Sequence, residues 1–145
     1  MTGSHQCSFN TLFTPFPRLY LSGTFSCTDT HTRTALDGSN GLVPWQSRVY
    51  SLISSATYAA NTNTDLFVSG VFSKTDPGRN NPATGLPAGI NYRRVGLQIG
   101  VTRRWPHHLI THVTGGLDQY REPTAGGLND FTAETVLATI SMPLP

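Results

Sequence analysis

Along most of this chain, apolar and polar side chains alternate with a period of two, the spacing of a half-buried β-strand. The run 92–105 is the clearest case. Val95, Leu97, Ile99 and Val101 take one parity, and Arg94, Gly96, Gln98, Gly100, Thr102 and Arg104 take the other. No long window carries the i, i+3, i+4, i+7 apolar spacing of an amphipathic helix with caps at both ends. The pattern predicts six long strands, at about 18–32, 48–60, 65–75, 92–105, 108–120 and 131–142. They consist of Thr-, Val- and aromatic-rich runs, which favour strands. In the first, Leu19, Leu21, Phe25 and Cys27 oppose Ser22, Thr24, Ser26 and Thr28. In the fifth, Leu109, Val113 and Leu117 oppose His112, Thr114, Asp118 and Tyr120. The last places Val136, Ala138, Ile140 and Met142 on one side. Residues 1–16 are expected to be poorly ordered or to supply, over 8–16, a partial seventh strand.

The connections sharpen this reading. Those near 61–64 and 105–108 are tight, whereas 34–45, 76–91 and 121–130 are long, and 76–91 is rich in Pro, Gly and Asn. Long and short connections therefore alternate, as in a meander of hairpins. The expected fold class is all-β, an antiparallel up-and-down meander of about six long strands. A chain of 145 residues has room for one core and so for a single domain, here 1–145.

Composition narrows the environment. Charged residues are 12% of the chain, about half the usual share. Small residues take their place: 20 Thr, 12 Ser and 14 Gly, with Lys74 the single lysine against nine arginines. A net charge of +2 argues against a disordered chain. With no Lys/Arg stripe along the sequence, no nucleic-acid partner is expected. No stretch of about 18 apolar residues could form a membrane helix.

Strands of this length exceed the usual 5–6 residues or so, and a tilted strand of about 9–11 residues crosses a bilayer. Outer-membrane barrels combine short turns at one rim, long loops at the other, and strands apolar outside and polar inside. A water-filled lumen would accept the candidate lining residues Arg94, Gln98, Arg104, His112, Asp118 and Glu134. The opposite parities are nearly free of charge. Arg48, Lys74 and Arg103 are exceptions near strand ends, where a lipid-facing cation costs about 0–1 kcal/mol instead of about 2–4 at the midplane. Trp45, Tyr50, Tyr58, Tyr92 and Trp105 lie near strand ends and are candidates for interfacial girdles. The same rings would also suit the packed core of a soluble sandwich.

The segment Tyr92-Arg-Arg-Val-Gly-Leu-Gln-Ile-Gly-Val-Thr-Arg-Arg-Trp105 resembles a descending strand of a bacterial outer-membrane β-barrel, its periplasmic end at Arg103-Arg104-Trp105. The stretch from Tyr120-Arg-Glu-Pro through Gly126-Gly127 to 131–142 is similar to the last outer loop and closing strand of porin-like proteins. The resemblance spans about 17–142. It implies a β-barrel pore or scaffold in the Gram-negative outer membrane, with the lipid bilayer as partner. Single-chain bacterial barrels start at eight strands. The chain is therefore expected to be the C-terminal part of a longer barrel, completed by remaining strands or by further copies.

Other chemistry is thin. His108 and His112 share a parity but stand about 13 Å apart on one strand, so with His107 they are read as polar turn and face residues and no metal is expected. No Gly-x-Ser-x-Gly elbow and no converging nucleophile, base and orienting group are visible, so neither enzyme activity nor a cofactor is expected. Cys7 and Cys27 could pair in an oxidising compartment. The favoured reading is free thiols, with Cys27 on the apolar parity. Arg94 and Arg104, with Arg93 as a further candidate, either favour anions in a lumen or pair with Asp118 or Glu134 on neighbouring strands. The expected function is a porin-like outer-membrane barrel enclosing a polar lumen beneath long extracellular loops. The alternative is a soluble or secreted all-β module that binds a ligand or surface through its loops.

Overall fold

The computed structural model describes residues 2–32, 45–77 and 89–142. They form one sheet of seven strands: β1 (Thr2–Phe16), β2 (Leu19–Thr32), β3 (Trp45–Asn61), β4 (Thr64–Pro77), β5 (Arg93–Arg104), β6 (Ile110–Arg121) and β7 (Phe131–Ser141). Each pairs antiparallel with the next, in the order β1-β2-β3-β4-β5-β6-β7. The expected meander is therefore present, with one strand more than the alternation predicted. Residues 2–16 form a complete strand because the parity of Cys7, Phe9 and Phe13 falls into register with Cys27, Phe25 and Leu21 of β2. Its own polarity pattern is broken by Thr11 and Leu12, so only the long-range pairing defines it.

The hairpin turns have local causes. Between β1 and β2, Arg18 takes a φ of 86°. Between β3 and β4, the Asn61 side-chain oxygen accepts a hydrogen bond from the Asn63 N–H at 2.8 Å, the Asx device that mimics a backbone turn. Between β5 and β6, Pro106 opens a short 3₁₀ turn and His107 and His108 have φ of 63° and 60°. At the opposite rim, the β6–β7 connection is held by Asp130, whose Oδ1 accepts from the Glu122 N–H at 2.7 Å. Gly126 and Gly127 supply φ of 63° and 85° there, values glycine adopts without a Cβ penalty.

Direct cross-strand partners share a face, so the registers divide the sheet into two sides. The apolar face carries Phe9 and Phe13 of β1, Leu21 and Phe25 of β2, Leu52 and Ala56 of β3, and Leu66, Val68 and Phe72 of β4. It continues through Val95, Leu97, Ile99 and Val101 of β5, Val113 and Leu117 of β6, and Val136, Ala138 and Ile140 of β7. No second layer covers it among the described residues. Leu97 is 50% and Ile99 58% exposed, and among the described residues no large side chain is fully buried. The sheet is open, with β1 and β7 as its two edges.

One expected polar-face residue moves to the other side. Glu134 is paired with Leu117 and so lies on the apolar face. It has the parity of Val136 and Ile140, and its charge alone had grouped it with Asp118.

Candidate functional site

The polar face of β4–β7 is built from strand positions whose side chains are small or absent, leaving a trough between longer ones. Arg94, Gln98 and Arg104 of β5 and His112 and Asp118 of β6 all line it. Arg94 grips Asp118 with two groups: Nε donates to Oδ1 and Oδ2 at 3.1 and 3.0 Å, and Nη2 donates to Oδ2. Arg104 donates from Nη2 to Oδ2 of Asp65 on β4 at 2.6 Å. The two cations and two carboxylates balance, so this face carries paired charge and little net field. Side-chain exposures of 52% and 28% for Arg94 and Asp118 mean that water still reaches the pair, and such pairs contribute about 0.2–1 kcal/mol. Asp65 was not singled out in the sequence, because its partner lies 39 residues away.

Two cavities open on this face. One of about 150 Å³ lies over Gly96 and Gly116 between Arg94, Gln98 and Asp118. A wider one of about 540 Å³ lies at the long-loop rim, bounded by Ser51, Ser73, Tyr92, Arg94, Tyr120 and Phe131. Its wall is a row of rings: Tyr92 stacks on Tyr120 with centroids 5.5 Å apart, and Tyr120 stacks on Phe131 at 5.4 Å. Offset stacks at this separation add to the area they bury.

Toward the short-turn rim the trough is closed by a layer around His112. Its Nδ1 is 2.8 Å from Thr102 Oγ1 and its Nε2 is 2.7 Å from Thr114 Oγ1. The Phe67 ring stacks on the imidazole at 5.3 Å and lies across Gly100. A Cβ on Gly100 would collide with that ring and come within 2.7 Å of the Val113 carbonyl oxygen. Glycine is therefore required to let the aromatic ring lie flat on the strand. Phe67 blurred the alternation of its own strand in the sequence, and this contact across strands explains its placement.

The aromatic candidates divide. Tyr50 and Tyr58 lie on the apolar face of β3, near the long-loop and short-turn rims respectively. Trp105 sits at the short-turn rim on the same side. Its Nε1 donates to Thr111 Oγ1 at 3.0 Å, and the Arg103 guanidinium lies 4.0 Å from its ring centre. Tyr92 belongs to the polar face, where its hydroxyl is 3.3 Å from Ser73 Oγ. It shares the parity of Arg94, and nearness to a strand end had outweighed that parity. Trp45 begins β3 opposite Thr32.

Cys7 and Cys27 are direct cross-strand partners on the apolar face and are free thiols. Among the described residues no group of three His, Cys, Asp or Glu side chains could hold a metal ion. The arrangement offers paired charges, hydroxyls and a stacked aromatic wall on one side of an open sheet. In comparisons with known proteins, no family model, curated protein or solved structure matches the chain.

Proposed function

We propose that the chain is part of an integral outer-membrane β-barrel, porin-like, whose polar face lines a lumen and whose apolar face meets lipid. The observation that carries this reading is the uncovered apolar face, seen at its clearest on β5. Between Arg93 and Arg103, that face of β5 holds only Val95, Leu97, Ile99 and Val101. The ten residue steps from Arg93 to Arg103, at about 3.4 Å each, span roughly 34 Å along the strand. A strand tilt of about 40° projects this onto roughly 26 Å, close to the apolar band of about 25 Å in outer-membrane barrels. In water, an apolar face this wide would be a large unfavourable exposure.

Two open edges in hydrocarbon would leave a row of unpaired backbone groups, each costing several kcal/mol. Both edges run the same way, since β1 and β7 each start at the long-loop rim and end at the short-turn rim. Copies of this sheet closing in a ring of common orientation would pair β7 against β1 in parallel. An odd number of further strands would instead pair antiparallel with both edges, the pattern of bacterial single-chain barrels. Further strands are therefore the favoured completion. Because Arg94–Asp118 and Arg104–Asp65 balance one another, the lumen on this side has weak ion selectivity.

The test is heat-shifted mobility on a detergent gel followed by conductance in a planar bilayer. The reading predicts a folded band that shifts on boiling and step-like conductance with weak selectivity. A protein that stays monomeric and dispersed in buffer without detergent sinks it in favour of a soluble β module. A heat-shifted band with no conductance reduces it to a closed membrane scaffold.

A further inference from the structure

The registers of β3–β6 bring three cations into one line on the apolar face. Lys74 is directly opposite Arg93, and Arg93 is directly opposite Arg121. Tyr50 extends the row on β3. All three cations are exposed and all sit at the long-loop rim, where β4 and β6 end and β5 begins. Like charges at direct cross-strand positions repel, and an anion bound among them would relieve that repulsion.

The fold supplies none among the described residues. Its ion pairs are Arg48–Asp29, Arg94–Asp118 and Arg104–Asp65, and none uses Lys74, Arg93 or Arg121. The nearest acids on the same face are Asp76, two residues beyond Lys74 on β4 and forming no ion pair with it, and Glu134, opposite Leu117 and well below Arg121. Between the two arginines lies a cleft of about 120 Å³ lined by Arg93, Val95, Gln119 and Arg121. Side chains of the two arginines and of Gln119 bound it, with Val95 one cross-strand pair deeper. The Arg93 guanidinium is 5.6 Å from the centre of the Phe72 ring on β4, within cation–π range.

We propose that this row and its cleft bind the phosphate of an anionic lipid headgroup in the leaflet on the long-loop side. The proposal rests on the membrane reading above. Guanidinium forks match phosphate oxygens in pairs. The acyl chains of such a lipid would run down over Val95 and Leu97, directly below the cleft, and this continuity favours a lipid over a free anion. Each basic group near an anionic membrane surface contributes roughly fivefold in affinity, so the row supplies on the order of a hundredfold.

The protein is folded in uncharged detergent containing equal amounts of phosphatidic acid and phosphatidylcholine, and the lipids retained through gel filtration are quantified. We expect retained phosphatidic acid to exceed phosphatidylcholine at least tenfold. The combined variant Lys74→Gln/Arg93→Gln/Arg121→Gln should bring the ratio near one, and Lys74→Arg should preserve it. An unchanged ratio in the combined variant overturns the proposal. So does displacement of phosphatidic acid by an equal concentration of inorganic phosphate, which would mark a free-anion site. A heat-shifted, lipid-retaining protein without headgroup preference refutes only this inference. A protein that retains neither lipid and shows no heat shift removes the membrane reading itself.

Discussion

Replacing Ile99 with arginine, compared with the same change at its neighbour Gln98, separates the two faces by adjacent residues. Ile99 is six residue steps from Arg93 and four from Arg103, which at about 3.4 Å per step and a tilt of about 40° places it roughly 16 and 10 Å from the two rims. That depth is near the bilayer midplane, where a lipid-facing arginine costs about 2–4 kcal/mol. The folding equilibrium should therefore fall by roughly 30- to 900-fold for Ile99→Arg. Gln98 faces Gly116 on the polar side, with Asp118 near enough to share a cavity, so Gln98→Arg should change stability by less than about 0.5 kcal/mol. The assay is reversible guanidinium unfolding in phosphatidylcholine vesicles, followed by circular dichroism, with the slope checked for constancy. Equal effects at the two positions, or a neutral Ile99→Arg, would refute the assignment of faces.

Three further outcomes test the interior of the account. Gly100→Ala should destabilise by about 1–3 kcal/mol through overpacking against Phe67, and the loss should shrink in a Phe67→Ala background; additive losses in denaturant titrations would disprove the contact. A double-mutant cycle on Arg94→Ala and Asp118→Ala should give a coupling of about 0.2–1 kcal/mol that declines with added salt, and a coupling indifferent to salt would contradict the solvated pairing. Cys7 and Cys27, as direct cross-strand partners, bring their Cα atoms to about 4.5–5.5 Å, within disulfide range. Mild oxidation with copper phenanthroline should therefore join them within one chain, a mass loss of two hydrogens that Cys7→Ser abolishes, and failure to cross-link would mean a different β1–β2 register.

What the sequence revealed depended on how far apart the interacting residues lie. β5 was legible because its alternation is local: Val95, Leu97, Ile99 and Val101 need no partner to declare a face. The five residues Arg94, Gln98, Arg104, His112 and Asp118 were grouped correctly on one side for the same reason. Glu134 was misplaced where charge overrode parity, and a strict count by two would have set it right. β1 was underestimated because Thr11 and Leu12 invert its pattern, and only pairing with β2 restores it. The Lys74–Arg93–Arg121 row, the Arg104–Asp65 pair and the seat of Phe67 on Gly100 were invisible along the chain. Each is fixed by register between strands, which no single strand encodes.

The most direct test of the central claim is a spin-label scan of residues 94–102 on β5, omitting Gly100, where a side chain would strike Phe67, and reading collision with oxygen, enriched in lipid, against a water-soluble nickel chelate. The account predicts a period of two in protein reconstituted in bilayers, with 95, 97, 99 and 101 reached by oxygen and 94, 96, 98 and 102 reached by the chelate. Odd positions shielded from both reagents would mean that protein covers this face, and odd positions open to the chelate would mean that water does; either result contradicts it.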